Sequence, residues 1–334
     1  MIYFKLVLIY LFILSIIIFF SKKLEFTDKP NDRKLHTKEL INTSGISFYF
    51  YLIIIVSSFE LSPGLEEVII YGSIIVICGF VDDRIYLTPG VKLILTFLPV
   101  IYLINSGFYL ENLGVYEYIG KINLGKFGVI FTLLACGLLI HSYNYIDGVD
   151  GLLLLITITN ISFGIFLLGI QDENISKLLI FILIPLIINL IFNILPASNN
   201  LKIFMGDAGS LFIGFFMSFF MIYLYKFKNI HPGIIIWISW YPIFDFLFMT
   251  IYRISKRLKF YSPDNMHFHH VMLRIFDNSH LKCTFLIGIM NALIIIIGFS
   301  VFHYLGKIYS LIAFVLIFLI FVLIRIYTMK KLSI

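Results

Sequence analysis

The chain has 334 residues, of which 60% are hydrophobic, 17% aromatic and only 13% charged. Soluble domains carry about 25% charged residues, so this composition excludes an ordinary water-soluble enzyme and a disordered chain. The 25 Lys and Arg outnumber the 19 Asp and Glu, and the net charge of +6 reflects basic loops beside a membrane better than a nucleic-acid binder. Cys78, Cys136 and Cys283 are far apart and match neither a disulfide framework nor a zinc motif. The sequence therefore predicts an all-α polytopic membrane protein.

A helix that crosses a bilayer needs about 20 mostly apolar residues. Eleven such stretches are predicted, at approximately residues 2–20, 45–60, 66–81, 91–105, 127–143, 151–169, 177–194, 208–225, 233–252, 284–303 and 309–328. We interpret residues 1–334 as one membrane domain without internal repeats. A cleaved signal peptide is the less favoured alternative for the first stretch, because Phe19-Phe20-Ser21-Lys22-Lys23 is no small-residue cleavage site.

The basic residues predict the orientation of these helices. Of the 25 Lys and Arg, 18 lie in alternate connections and the C-terminal tail, in the segments 22–43, 82–92, 195–207, 253–283 and 325–331. The positive-inside rule makes this side cytoplasmic, with the N-terminus outside and the C-terminus inside. The segment 106–126 is then the one long outside loop, and its four glycines suggest a short hairpin.

Four polar motifs fall on the side predicted to be cytoplasmic. They are Asp82-Asp83, Asn144-x-x-Asp147-Gly-x-Asp150, Gly206-Asp207-Ala-Gly209 and His267-x-His269-His270. Ionisable residues at a membrane boundary are costly and indicate function by default. Because the orientation was derived from charge and length alone, the agreement of these motifs supports it independently.

Carboxylates that converge at one face repel each other unless a cation lies between them. Asp147 and Asp150 would share a face if the sixth helix began early, since residues three apart on a helix are neighbours. Oxygen ligands of this kind favour Mg²⁺ or Mn²⁺. The alternative is that each Asp only caps a helix. Glycines beside these residues could let backbone N–H groups at the starts of helices six and eight receive phosphate, or could serve helix contacts.

The histidine motif lies among basic side chains, namely Arg253, Lys256, Arg257, Lys259 and Arg274. Neighbouring histidines seldom bind one zinc ion together, so an anionic ligand is the better interpretation, with a merely basic loop as the alternative. His36, beside Arg33 and Lys34, could extend this patch. The isolated His141, His231, His280 and His303 are interpreted as structural.

At these residues the chain resembles the polyprenyl-phosphate N-acetylhexosamine-1-phosphate transferases, glycosyltransferase family 4. The motifs that carry the resemblance occur in the family's order, from Asp28-Lys-Pro-Asn-Asp-Arg33-Lys34-Leu-His36 through Asn144-x-x-Asp147-Gly-x-Asp150-Gly-Leu and Phe204-Met-Gly-Asp207-Ala-Gly-Ser-Leu to the histidines. The chain departs from the family pattern at Ile41 and Ser44-Gly45, and its loop before Phe204 (residues 198–202) looks extended.

The resemblance implies transfer of a sugar-1-phosphate, most simply GlcNAc-1-phosphate, from a UDP-N-acetylhexosamine to polyprenyl (undecaprenyl) phosphate. UMP would be released and synthesis of a cell-surface glycan would begin. It further implies a multi-pass protein of the bacterial cytoplasmic membrane, with the active site facing the cytoplasm. A homodimer stays an open alternative, and no nucleic-acid partner is expected.

The resemblance also implies roles for individual residues. Asp82 and Asp83 would be catalytic, acting as the base on the lipid phosphate or binding metal. Asn144, Asp147 and Asp207 would hold Mg²⁺, with Mn²⁺ as the alternative. Substrate binding falls to Lys92 for the lipid phosphate, to Asp150, Asn193 and Phe204 for uridine, and to His267, His269 and His270 for the sugar diphosphate.

Three alternatives stay open at this point. The lipid phosphate could attack the donor directly, or a carboxylate could first form an enzyme-bound sugar phosphate. The substrate could be a MurNAc-pentapeptide nucleotide, as in the phospho-MurNAc-pentapeptide translocase. A cation- or proton-coupled transporter could also group carboxylates and histidines, but such sites tend to lie at the bilayer midplane between repeated halves.

Overall fold

The computed structural model describes residues 1–28, 40–58, 64–169, 173–196, 198–258 and 266–332. Within these ranges the protein is a bundle of helices with two short pairs of antiparallel strands. Every one of the eleven apolar stretches predicted from the sequence coincides with a helix or, for residues 233–252, with a nearly continuous helical segment. The all-α prediction is therefore confirmed.

The helices, in chain order, are α1 (Ile2–Lys23), α2 (Ser44–Ser58), α3 (Leu65–Ile85), α4 (Pro89–Asn105), α5 (Phe127–Tyr145), α6 (Leu152–Leu168), α7 (Glu173–Asn193), α8 (Gly206–Lys226), α9 (Pro232–Ile235), α10 (Trp240–Ser255), α11 (Phe268–Ile275), α12 (His280–Tyr304) and α13 (Lys307–Lys331). A 3₁₀ turn, Ile236–Ser239, joins α9 to α10. The strands are β1 (Thr27–Asp28), β2 (Leu40–Ile41), β3 (Asn112–Tyr116) and β4 (Gly120–Asn123).

Seven helical segments of the described chain are long and apolar enough to cross a membrane, namely α1, α5, α7, α8, the α9–α10 segment, α12 and α13. The apolar helices α2, α4 and α6 are shorter. The outer faces of α12 and α13 expose large apolar side chains such as Leu293, Leu316 and Leu323. Apolar surface of this extent indicates an integral membrane protein. The total of eleven spans and their orientation stay predictions.

Helix α8 lies at the centre of the bundle, with most of its side chains buried. Glycines let its neighbours approach closely. A Cβ added to Gly45 of α2 would lie 2.3 Å from the Cα of Gly209, and one added to Gly79 of α3 would lie 2.4 Å from the backbone N of Ala208. On the third side, a Cβ on Gly214 would meet the Cα of Ile140 in α5 at 2.6 Å. Gly209 therefore serves helix contact, and this packing brings the ends of α3, α5 and α8 together.

The segment 106–126 contains the hairpin that its glycines suggest. Strands β3 and β4 pair antiparallel, and Glu117 lies in the turn between them. The Glu117 carboxylate accepts hydrogen bonds from the backbone N–H groups of Lys307 at 3.2 Å and Ile308 at 2.9 Å. These backbone bonds, with its own backbone N–H, lower the pKa of Glu117. The hairpin is thus attached to the positive end of α13.

The connection predicted over residues 82–92 is shorter than expected. Helix α3 continues to Ile85, so Asp82 and Asp83 lie in its last turn, and α4 already begins at Pro89. Tyr86 follows the last residue of α3 and has a φ of +50°. Pro89 is the first residue of α4, a position at which a backbone N–H has no partner within the helix, so proline fits there. The tight connection turns α4 back along α3, which places Lys92 opposite Asp82.

Candidate active site

Lys92 connects three helices at one end of the bundle. Its Nζ donates to Asp82 Oδ2 at 2.7 Å, to Asp207 Oδ2 at 2.6 Å and, with a longer contact of 3.4 Å, to Asn144 Oδ1. An ammonium group has three donors, so all three are directed at protein oxygens. The second oxygen of Asp82 accepts the backbone N–H of Leu87 at 2.6 Å. Lys92 is therefore the positive centre of a group of acidic side chains.

The first turn of α8 completes this group. Asn144 donates through Nδ2 to Asp207 Oδ1 at 2.9 Å and to Ser210 Oγ at 2.8 Å. The backbone N–H of Asp207 donates to Asp83 Oδ2 at 3.1 Å. Gly206 has a φ of +68°, and a Cβ there would lie 2.7 Å from Asp83 Oδ2, so only glycine fits. We call Asp82, Asp83, Lys92, Asn144, Asp147 and Asp207 the acidic cluster.

Asp147 lies in the turn between α5 and α6 and belongs to this cluster electrostatically. Among the described residues its carboxylate has no hydrogen-bond or ion-pair partner. Burial first, then the charges of Asp207, Asp83 and Asp150, raise its pKa well above the ordinary value of an aspartate. A carboxylate surrounded by other carboxylates favours either a proton or a bound cation.

Asp150 lies in the same turn but contacts different residues. Lys202 Nζ lies 2.5 Å from Asp150 Oδ2, and His280 Nδ1 lies 3.4 Å from the same oxygen. Thr284 Oγ1 donates to the Asp150 carbonyl at 2.6 Å. Burial raises the pKa of Asp150, but the hydrogen bonds and charges of His280 and Lys202 outweigh it and lower the pKa below its ordinary value. Asp150 is thus an ionised, paired carboxylate.

One expectation about this turn is wrong. Helix α6 does not begin early: it starts at Leu152, and residues 146–151 form turns, so Asp147 and Asp150 do not share a helix face. Phosphate binding was one of two interpretations of the glycines here, and two of the backbone N–H groups that could serve it are already bonded. Gly151 N–H donates to Asn193 Oδ1, and the Asp207 N–H donates to Asp83.

Asn193 is the last residue of α7, and Phe204 lies near the end of the connection that leads to α8. Asn193 is buried, and its Nδ2 donates to the Ile203 carbonyl at 2.8 Å. Because its Oδ1 accepts the Gly151 N–H, both ends of the amide are hydrogen-bonded within the protein. Phe204 is half-buried, and Lys202 Nζ lies 5.4 Å from its ring centroid. Asn193 therefore positions the turn of Asp150, and the Phe204 ring lies beside the same lysine.

The histidine motif packs onto the Asp147 turn. His267 precedes α11 and contacts Asp245 Oδ2 through Nδ1 at 2.7 Å. His269 is fully buried, and burial, followed by the charge of His270, lowers its pKa well below the ordinary value. A Cβ on Gly148 would lie 2.9 Å from His269 Nε2 and 3.1 Å from His270 Cε1. The lowered pKa makes His269 a neutral imidazole.

Several side chains at the site escaped the sequence analysis. Lys202 was noted only as part of a basic, extended loop, and His280 was interpreted as structural. Asp245 fell within an apolar helix, and Arg325 was counted only among the basic residues of the tail. Lys202, two residues before Phe204, was the one available signal. The basic residues Arg33, Lys34 and His36 lie outside the described residues, as do Ser262, Asp264 and Lys259.

The oxygen donors of Asp83, Asn144, Asp147 and Asp207 fit the hard-ligand chemistry of Mg²⁺. Asp147 in particular lies near the charges of Asp207, Asp83 and Asp150, which raise its pKa after burial does. Within the part of the chain that is described, however, no group of three His, Cys, Asp or Glu residues is already arranged around a metal position. Lys92 instead lies between Asp82 and Asp207. The donor chemistry therefore fits Mg²⁺. In this structure the Lys92 ammonium group binds the carboxylates of Asp82 and Asp207.

Comparisons with known proteins give a consistent result. Residues 67–225 match the family described as Glycosyl transferase family 4. The chain is 30% identical over 305 residues to an undecaprenyl-phosphate alpha-N-acetylglucosaminyl 1-phosphate transferase of Yersinia pestis, covering 87% of this chain and 82% of that protein. It is 28% identical to the protein of that name in Escherichia coli K12, over 90% of this chain and 84% of that one. A probable undecaprenyl-phosphate N-acetylglucosaminyl 1-phosphate transferase of Bacillus subtilis is also 28% identical, with coverages of 90% and 82%.

Proposed function

The chain belongs to glycosyl transferase family 4, and we propose that it transfers GlcNAc-1-phosphate from UDP-GlcNAc to undecaprenyl phosphate, releasing UMP. The names of its relatives in three bacteria support both the sugar and the lipid carrier. The observation that carries the proposal is the acidic cluster, in which Lys92 joins carboxylates from α3 and α8 at the ends of three packed helices. Phosphoryl transfer depends mainly on positioning and charge neutralisation, and this cluster offers both.

Asp207, Asn144 and Asp147 would hold Mg²⁺, which when bound neutralises charge on the donor diphosphate. Two contacts support this assignment: Asn144 already bonds Asp207, and Asp147 has no protein partner among the described residues. Lys92 would then release one carboxylate and direct a donor at a phosphate oxygen. A lysine that exchanges partners in this way would offset part of the negative charge both before and after substrate binds.

Asp82 and Asp83 would have different roles, one in holding the site together and one in contacting the acceptor. Both oxygens of Asp82 accept protein hydrogen bonds, so we assign it to holding Lys92 and the α3–α4 connection. We assign Asp83 to the acceptor, where it takes any remaining proton from the lipid phosphate. An oxygen of that phosphate attacks the phosphorus that bears the sugar, the bond to the bridging oxygen breaks, and UMP leaves with that oxygen.

Asp150, with Lys202 and Phe204, would form the uridine side of the site, and the histidines over Gly148 would contact the sugar diphosphate. The site must lie at the membrane boundary, since one substrate is dissolved in water and the other is embedded in lipid. We place it on the cytoplasmic face of an eleven-span protein of the bacterial cytoplasmic membrane, N-terminus outside. The 18 basic residues on that side support the orientation.

Donor selection tests the proposal directly. Purified protein with undecaprenyl phosphate should convert UDP-GlcNAc to lipid-linked product and an equal amount of UMP, and should ignore UDP-MurNAc-pentapeptide. Conversion of the pentapeptide nucleotide alone would replace this function with that of a peptidoglycan translocase. Without acceptor, labelled UMP should not exchange into UDP-GlcNAc. Such exchange would show an enzyme-bound sugar phosphate instead of direct attack.

Single-cysteine labelling tests the orientation. In a background that lacks Cys78, Cys136 and Cys283, a cysteine at Ser262 should be protected from a membrane-impermeant reagent on intact cells. A cysteine at Tyr118, in the hairpin turn and 94% exposed, should react. The reverse pattern would place the site outside the cell, away from UDP-sugars.

A further inference from the structure

Three consecutive residues at the start of α11 are each held by a buried charged side chain. Asp245 of α10 contacts His267 Nδ1 at 2.7 Å and accepts the backbone N–H of Phe268 at 2.8 Å. Arg325 of α13 donates through Nη2 to the carbonyl of Met266. Asp245 is 1% exposed and Arg325 is 0% exposed. The position of the His267 ring is therefore set from two different helices.

Both charged residues interrupt apolar helices, where burial of an ion is expensive. The Arg325 guanidinium lies 4.7 Å from the ring centroid of Phe248 and 5.6 Å from that of Phe268, which places its flat face among aromatic rings. Ionisable side chains buried in membrane helices usually serve a site, since an apolar residue would pack there at lower cost. Among the described residues, His267 is the predicted site residue whose side chain hydrogen-bonds Asp245.

The chemistry of the contact fixes which ring nitrogen carries hydrogen. An ionised carboxylate only accepts hydrogen bonds, so His267 Nδ1 must be the donor. In the neutral imidazole the other nitrogen, Nε2, is then an acceptor and points away from Asp245. The His267 ring lies 5.2 Å from the ring of Tyr145, the neighbour of Asn144, and 5.6 Å from that of His269. The His267 ring thus lies beside residues that border the candidate active site.

We propose that Asp245 is a positioning residue that holds neutral His267 with its proton on Nδ1, so that Nε2 accepts a hydrogen bond from an N–H or O–H group of the nucleotide sugar. Arg325 supports it by fixing the backbone one residue earlier. This rests on the proposed function and refines it, because the sequence had suggested only that the histidines bind the sugar diphosphate. His267 would instead recognise a donor group on the sugar, such as the amide N–H.

Asp245→Asn separates this role from simple packing. The amide keeps the volume and one oxygen for the Phe268 N–H, but it turns N–H groups toward His267 Nδ1. His267 Nδ1 must then accept a hydrogen bond, and the ring proton moves to Nε2. The Nε2–H group now faces an N–H or O–H group of the substrate, and neither of the two can accept. A mispaired buried hydrogen bond of this kind costs about 1–3 kcal/mol, so kcat/KM should fall about 5- to 140-fold, given tenfold per 1.4 kcal/mol.

The first test is spectroscopic and does not need activity. In protein labelled with ¹⁵N-histidine, the His267 signals are those absent from His267→Gln. They should show Nδ1 protonated in the wild type and Nε2 protonated in Asp245→Asn. Ser310→Ala removes the buried acceptor of the Trp237 indole 2.9 Å away and serves as a control for general destabilisation. It should leave the tautomer unchanged. A wild-type proton on Nε2 would overturn the proposal, even if Asp245→Asn does not fold.

The second test is a double-mutant cycle in the transferase assay. If Asp245 acts through His267, Asp245→Asn should lower kcat/KM about 5- to 140-fold in the wild type and no more than twofold in His267→Gln. Equal losses in both backgrounds would show that Asp245 acts by another route and would overturn the proposal. If the wild type made no lipid-linked product, the proposed function would fail while the tautomer measurement still decided the role of Asp245.

Discussion

The pairing of Lys202 with Asp150 leads to a sharp prediction about Lys202→Met. Methionine keeps the length and apolar stem of the lysine and removes its charge. The variant should lose the bonds from Nζ to Asp150 at 2.5 Å and to the Leu195 carbonyl at 2.9 Å. Asp150 would retain His280, 3.4 Å away, as its remaining partner. The loop before Phe204 would then be released from the turn that carries Asp147.

The expected size of the effect follows from burial. The Lys202 side chain is 4% exposed and that of Asp150 is 18% exposed, so water replaces the lost bonds poorly. Removing one partner of a buried pair costs about 3–5 kcal/mol, and the exposure of Asp150 and its second partner place this one near the low end, at about 3 kcal/mol. If half of that free energy stabilises the donor-binding conformation, KM for UDP-GlcNAc rises about tenfold, at 1.4 kcal/mol per factor of ten.

Thermal unfolding in detergent and steady-state kinetics measure the two effects. The matched control is Lys282→Met, which removes an exposed lysine two residues after His280. Lys202→Met should unfold at a lower temperature than the control and show a raised KM with kcat within about twofold, as expected for lost uniform binding. Equal stability and equal KM in the two variants would refute the bracing role of the Lys202–Asp150 pair.

Three further predictions concern the same turn. Asp147→Asn should stabilise the metal-free protein by about 1 kcal/mol, because it removes a carboxylate whose raised pKa makes folding less favourable as pH rises, and it should abolish the thermal stabilisation by Mg²⁺. Unfolding scans with and without Mg²⁺ check this, and an unchanged metal response would contradict it. The lowered pKa of Asp150 predicts that its contribution to stability is present above about pH 4 and is lost as pH falls further, so Asp150→Asn should flatten that part of the stability–pH curve. Gly148→Ala should lower kcat at least about tenfold, since its Cβ would press on His269 at 2.9 Å. Gly90→Ala, where a Cβ meets nothing within 4 Å, should leave kcat unchanged, and equal rates in the two variants would refute the contact.

Much of the fold could be predicted because hydropathy reports directly on helices in a membrane protein. All eleven apolar stretches are helical, and the glycine-rich segment 106–126 contains a hairpin. The motifs also pointed to residues that the fold brings together, since Asp82, Asn144 and Asp207 all meet Lys92. Charge and motif spacing suffice to identify these residues, because ionisable side chains within apolar sequence are costly and usually serve a function.

The partners of the site residues could not be predicted, because they depend on packing between distant helices. Lys202 and His280 converge on Asp150 from segments 52 and 130 residues away. Asp245 and Arg325 were hidden within stretches that hydropathy classifies as apolar. The start of α6 was misplaced because spacing three residues apart suggests a helix, whereas Gly151, with a φ of +74°, ends the turn and lets α6 begin only at Leu152.

The central claim is that the acidic cluster is the centre of sugar-phosphate transfer. It is tested most directly by the initial rate of lipid-linked GlcNAc formation by wild-type protein, Asp207→Asn and the control Asp277→Asn, whose aspartate is exposed. Wild type and control should form product at equal rates in Mg²⁺ and none in excess EDTA, and Asp207→Asn should be inactive while still folded. Product formation by Asp207→Asn at the wild-type rate would contradict the claim.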